Sequence, residues 1–225
     1  VELGSLVQFE DDGPAIDINL VSNAVIRLDE SMGVAGSVQN EGGATNNDEA
    51  AAGAAVGAIG YATITAAALF STVVSDAGTD GQASKVFTLL LNSTASGLVD
   101  AVSNTSVVLS INDAHTLITG TSTGAGGGLV FTIALAADGS VTVNQFRALE
   151  HDNNLDHDEN SSPEAMLSGI VQLQVVLTDG DNDTATDTVE LGSLVQFEDD
   201  GPAIDRNLVS NAVIRPDEAR GGAGP

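Results

Sequence analysis

The chain repeats itself. Residues 1–30, VELGSLVQFEDDGPAIDINLVSNAVIRLDE, return at 189–218 as VELGSLVQFEDDGPAIDRNLVSNAVIRPDE, with 28 of 30 positions identical at an offset of 188. The two differences are Ile18/Arg206 and Leu28/Pro216. Near-identity at one spacing marks a tandem array, because duplication of whole units is tolerated when each folds alone and touches mainly its neighbours. A period of 188 is too long for a solenoid coil and has the size of a domain. The expected organisation is 1–11 as the last strand of a preceding repeat, 12–200 as one complete repeat, and 201–225 as the truncated start of the next. The DDGP at 11–14, and again at 199–202, reads as the joint. Proline fixes its own φ and pushes the preceding residue away from helix, so the joint is expected to be short and stiff.

Within one unit the apolar residues alternate. Val171, Leu173, Val175 and Leu177 share one face while Gln172 and Gln174 take the other, the period of a half-buried strand. The same pattern holds for Phe87/Leu89/Leu91, Val107/Leu109/Ile111, Phe131/Ile133/Leu135 and Val141/Val143, and 184–191 continues it with threonines outward. Turn signals separate these runs at Asp80-Gly81, Gly124 to Gly128, Asp138-Gly139 and Asp179-Gly180. About nine strands at this spacing predict an all-β fold, an antiparallel β-sandwich of Ig- or cadherin-like type with long acidic loops. Two segments resist. The stretch 50–69 is rich in alanine but interrupted by Gly53, Gly57 and Gly60, which makes a helix there weak. Ser162-Pro163-Glu164-Ala165 has the pattern of a capped single helical turn.

Charge then narrows the partners. Against 32 Asp+Glu stand 6 Lys+Arg, a formal net charge of -26. Nucleic acid is excluded as a partner, since a phosphate backbone requires clustered cations, and an anionic membrane surface is excluded by the same sign. Hydrophobic content of 42% still permits a core, built from aliphatics because there are six Phe, one Tyr and no Trp. With no cysteine, the chain fits a reducing cytosol or an exported protein stiffened by something other than disulfides.

The acids are clustered: Glu10-Asp11-Asp12, Asp29-Glu30, Asp76 with Asp80, the loop 150–159 with Asp152, Asp156 and Asp158, Asp179/Asp181/Asp183, and Glu198-Asp199-Asp200. Carboxylates so close repel, and a hard divalent cation relieves the repulsion, because Ca²⁺ takes six to eight oxygen ligands from carboxylates, carbonyls and water. A solvated acidic surface is the alternative; for Asp179-x-Asp181-x-Asp183 and the joint, calcium is the preferred reading. The Asp179 run is not an EF-hand. Asp181, Asp183, Asp187 and Glu190 fall at loop positions 3, 5, 9 and 12, but Thr184 stands where the turn requires Gly, and the flanks are strands.

The run LTDGDNDTATDTVELGSLVQFEDDGPAI, together with RLDES and FRALEHDNNLDHDE, resembles the long repeat domain of giant RTX adhesins secreted by type I systems of Gram-negative bacteria. The resemblance covers the whole unit and implies calcium-stiffened β-domains at the bacterial cell surface, strung between a cell-anchored N-terminus and distal modules that bind saccharide or host-surface ligands in adhesion and biofilm formation. Asp179, Asp181, Asp183, Asp11, Asp12, Asp199 and Asp200 match its acidic motifs. The implied partners are neighbouring repeats of the same chain and calcium ions. A calcium-dependent saccharide- or protein-binding module of the same adhesin is the alternative function. The alanine-rich stretch and 220–225 match nothing in that family.

Catalysis is not expected. Gly120-Thr121-Ser122-Thr123-Gly124 satisfies the G-x-S-x-G nucleophile pattern, but a helix should follow and Ala125-Gly126-Gly127-Gly128 follows instead. His151 and His157 have zinc-ligand chemistry with Asp152 or Asp156, yet oxygens outnumber imidazoles there, which favours calcium or plain solvent. His115 reads as structural.

Overall fold

Period-two alternation becomes strand after strand in the computed structural model, which describes residues 10, 12–30, 54–152 and 163–198. Along the chain run β1 (Ala15–Leu20), β2 (Ile26–Asp29), β3 (Gly60–Ile64), the one-turn helix α1 (Ala66–Leu69), β4 (Phe70–Asp76), β5 (Gln82–Leu91), β6 (Ala95–Asp100) and β7 (Thr105–Ile111). Then follow β8 (Leu117–Thr121), β9 (Leu129–Leu135), β10 (Val141–Gln145), β11 (Glu164–Ala165), β12 (Val171–Asp179), β13 (Thr184–Glu190) and β14 (Val195–Glu198). The fold is all-β, in open sheets.

Six strands form one sheet in the order β3-β10-β9-β8-β7-β6, and β13-β12-β5 form another. β1 pairs with β4, and a bulge between Asp17 and Ile18 interrupts their register. The Ile18 N–H freed there is not lost: it donates to Asp187 Oδ2 of β13 at 2.7 Å, tying this pair to the β13 sheet. The third group, β11-β14-β2, departs from the antiparallel expectation, because β14 runs parallel to β2 with Phe197 opposite Leu28 and Glu198 opposite Asp29. Parallel neighbours need a long crossover, and here nearly the whole unit is the crossover.

One local expectation is corrected. Glu164 and Ala165 are not a helical turn but β11, paired with Phe197 and Gln196; a partner strand outweighs the weak local preference of a single turn. The alanine-rich stretch gives β3 and, after Thr65 caps the Ala68 N–H, a helix of four residues.

The core is one cluster, aliphatic as the composition demanded, with Phe131 of β9 against Phe197 of β14 at 5.3 Å between ring centroids. Gly120 is fixed by this packing, since a side chain there would begin 2.7 Å from the Phe131 ring.

The unit has two ends. Leu89 N–H donates to the His115 carbonyl and Leu109 N–H to the Thr94 carbonyl, both at 2.7 Å, so the chain passes from β5 into β6 without reversing. At the lower end Asp179 faces Gln82 across β12 and β5, and Ala15 faces Asp76 across β1 and β4. At the upper end Asp100 bridges to Leu149, whose N–H donates to Glu30 at 2.9 Å.

Candidate metal site

Alternation along β12 creates the site. Val171, Leu173, Val175 and Leu177 are buried, and the next residue in that register is Asp179, which is 1% exposed. A carboxylate therefore occupies a core-facing position at the strand end. The hairpin 179–183 closes tightly over it: Asp183 N–H donates to Asp179 Oδ1 at 2.8 Å, Asp179 N–H donates to the Asp183 carbonyl at 3.1 Å, and Asn182 takes φ 80°, where an Asn is tolerated. Asp179 Oδ2 is buried with no hydrogen-bond partner among the described residues. One ligand oxygen from each of Asp179, Asp181 and Asp183 lies within 4.8 Å of the others, Asp181 and Asp183 being exposed. A buried carboxylate oxygen without a donor is costly, and two further carboxylates beside it raise the cost. The triad can hold a metal ion, which would supply the missing positive charge.

Two other predicted acidic segments converge on the same end. The Asp80 carbonyl lies against Gly180, where a Cβ would come within 2.6 Å of it. Asp76 Oδ1 accepts the Gly78 N–H at 3.0 Å, shaping the turn that follows β4. Asp12, from the joint, packs its carbonyl on Gly78, and its Oδ2 accepts from Thr79 Oγ1 at 3.3 Å. Gly78 has φ 69° and a side chain there would collide with that carbonyl, so the turn requires glycine twice over. Glu10 and Asp12 are exposed.

The remaining candidates sit at the upper end. Glu198 pairs with Arg27 at 3.1 Å. Asp152 is exposed, and its N–H donates to Glu164 Oε1 at 3.2 Å. Glu30 accepts from Gln145 Nε2 at 2.6 Å and lies 3.8 Å from His151 Nε2. Of the EF-hand-like positions, Asp187 caps the bulge at Ile18, and Glu190 accepts the N–H groups of Gly169 and Ser193. Asp11, Asp156, Asp158, Asp199, Asp200 and His157 lie outside the described residues.

Sequence reasoning missed the most heavily bonded acid. Asp100 is fully buried, and its Oδ2 accepts from Ser122 Oγ and Ser103 Oγ at 2.6 Å each and from Arg147 Nε and Nη2 at 3.1 and 3.0 Å, while Oδ1 accepts the Val102 N–H at 3.2 Å. Burial alone would raise its pKa. The Arg147 guanidinium, the two hydroxyls and the Val102 N–H outweigh burial and hold the carboxyl far below the ordinary carboxylate range. Asp100 stood alone in the sequence, 47 residues from Arg147, and no spacing rule links the two. This network also accounts for the G-x-S-x-G match: Ser122 Oγ donates to Asp100 and accepts the Gly128 N–H at 3.2 Å, closing a turn that leads into β9.

An all-β domain with an acidic triad at one end is thus the class the fold and site define. By its sequence the chain belongs to the DUF5801 family, a domain of unknown function, which it matches over residues 25–192. No curated protein and no solved structure matches it.

Proposed function

We propose that this protein is a calcium-stiffened extender repeat of a giant secreted cell-surface adhesin of the RTX type, exported by a bacterial type I system, in which each repeat is an antiparallel β-sandwich of Ig- or cadherin-like form and acts as structure, not as catalyst. The observation that carries the reading is the polarity of the unit. Asp12 of the first EDDGP lies at the lower end against the 76–80 turn, and Glu198, which opens the second EDDGP, lies at the upper end beside Asp29. Because the segments correspond, a following repeat would place its own copy of the lower end on the upper end of this one. Joined units then add length along one direction, which is what holding a distal ligand-binding module away from a cell requires.

Calcium suits the triad by chemistry: the donors are all oxygens, which hard cations prefer. Its place beside the Asp12 turn lets the ion brace the region where the joint enters. The test is small-angle X-ray scattering on a two-repeat chain, with calcium and with chelator, after thermal unfolding has established that both samples are folded. A longer, narrower distance distribution with calcium is expected. Superimposable profiles from two folded samples overturn the stiffening role, and an unfolding midpoint indifferent to calcium overturns the metal.

A further inference from the structure

Consecutive strands joined by a short loop usually pair as a hairpin, but β4 and β5, joined by residues 77–81, do not. Among the described strands β4 pairs with β1 alone and β5 with β12 alone. A groove of about 440 Å³ lies between them, lined by α1, by Phe70, Ser71 and Thr72 of β4 and by Lys85 and Phe87 of β5. The two phenylalanine rings stand 5.6 Å apart between centroids. Lys85 is out of place in this setting. Leu89, Phe87 and Lys85 share one face of β5, and Lys85 stands opposite Leu177 of β12, which is fully buried. A cation thus takes a position that alternation gives to an apolar residue. It is the single lysine of a chain with 32 Asp+Glu. Arg27 and Arg147 have carboxylate partners at 3.1 and 3.0 Å. Lys85 has no ion pair among the described residues, and its Nζ lies 6.0 Å from the centroid of the Phe87 ring.

We propose that this groove binds a sugar acid, a pyranose ring bearing a carboxylate, and that Lys85 is the partner of that carboxylate. Three features select the class. The ammonium of Lys85 suits an anion, and a carboxylate meets it with a charge-assisted hydrogen bond. Phe70, Phe87 and the alanines of α1 make an apolar wall, which the C–H face of a sugar ring can cover. The Thr72 hydroxyl has no protein partner among the described residues, and Ser71 Oγ, which donates to the Asn19 carbonyl at 3.3 Å, keeps its acceptor capacity, so both can meet ring hydroxyls. A fatty acid shares the charge and the apolar body but needs its tail enclosed, whereas Ser71 and Thr72 leave this groove open to solvent. The site is separate from the acidic triad, since Asp179, Asp181 and Asp183 do not line it, and it does not rest on the extender reading. In a tandem array it would recur once per repeat, so that weak single contacts gain by avidity.

The test is an NMR titration of the full chain with the methyl glycoside of glucuronic acid, and with methyl glucoside and hexanoate as controls, in calcium and again in chelator. Amides of 66–72 and 85–87 report the groove and those of 179–183 the triad, so binding at Lys85 is distinguished from binding through a calcium ion. Saturable shifts at the groove are expected with the glucuronide, and binding at least about tenfold weaker with each control, the worth of one charge-assisted hydrogen bond. Lys85→Met should weaken the glucuronide by about tenfold or more and leave methyl glucoside unchanged, and Lys85→Arg should retain binding. Glucuronide and glucoside bound alike, hexanoate bound as tightly as the glucuronide, shifts confined to 179–183, or Lys85→Met binding as wild type does would each overturn the proposal. An absence of groove shifts overturns it as well; self-association of Lys85→Met in light scattering would then mark Lys85 as a guard of the free β5 edge against strand pairing.

Discussion

Each end of the unit buries an aspartate, and the chain treats the two in opposite ways. Asp100 receives two serine hydroxyls, a backbone N–H and both donors of a guanidinium edge. Asp179 receives one backbone N–H, keeps Oδ2 unpartnered among the described residues, and has Asp181 and Asp183 beside it instead of a cation. Burying a carboxylate costs several kcal/mol unless charge and hydrogen bonds compensate it. At the upper end the protein supplies the compensation. At the lower end two more acids crowd the buried carboxylate, in a triad that could hold a metal ion.

The harshest way to break that contrast is Arg147→Met, which leaves Asp100 buried with its serine and Val102 hydrogen bonds but without a counter-charge. A loss of about 3 to 5 kcal/mol in urea unfolding is expected, as for other broken buried pairs, and calcium should not restore it. A loss that calcium reverses would mean that the two ends are not independent.

Acid sharpens the same comparison. The folded-state pKa of Asp100 is depressed below its ordinary 3.8, so its stabilisation is present above about pH 4 and drains away as the pH falls from there toward the folded-state value, at up to about 1.4 kcal/mol per pH unit. Without Arg147, burial should raise that pKa, and protonation should then relieve the variant. The stability gap between wild type and Arg147→Met, followed in chelator, is therefore expected to close on acidification. A gap that stays constant from pH 7 to pH 3 would show that Arg147 acts through packing alone.

The smallest expected effect is at the other end. Asp179→Asn should be neutral or slightly stabilising in chelator, since it removes a buried charge. It should also abolish the gain from calcium, about 1.4 kcal/mol for a site at ten times its Kd, as read from unfolding midpoints with and without the ion. An undiminished calcium gain in this variant would move the ion to other residues.

Much of this was legible without coordinates where the signal was local. Alternation in 171–177 predicted β12, whereas Asp179, read from the sequence as part of the turn, is the buried last residue of that strand. The spacing of Asp179, Asp181 and Asp183 in a tight hairpin already brought them together. Single-turn preferences were a poorer guide, because pairing with β14 drew Glu164 and Ala165 into a strand.

The sequence by itself determined the repeat, its period, the strand-rich character and the acidic hairpin, because each is written in residues near one another or in identity between copies. Tertiary structure alone decided that Asp100 meets Arg147, that β14 runs parallel to β2, that Asp12 reaches the turn after β4, and that the two substitutions between copies fall in the core. These contacts join residues from 47 to about 170 positions apart. Periodicity tells which face of a strand is buried but not what lies opposite it, and a buried charge finds its partner only when the whole core closes around both.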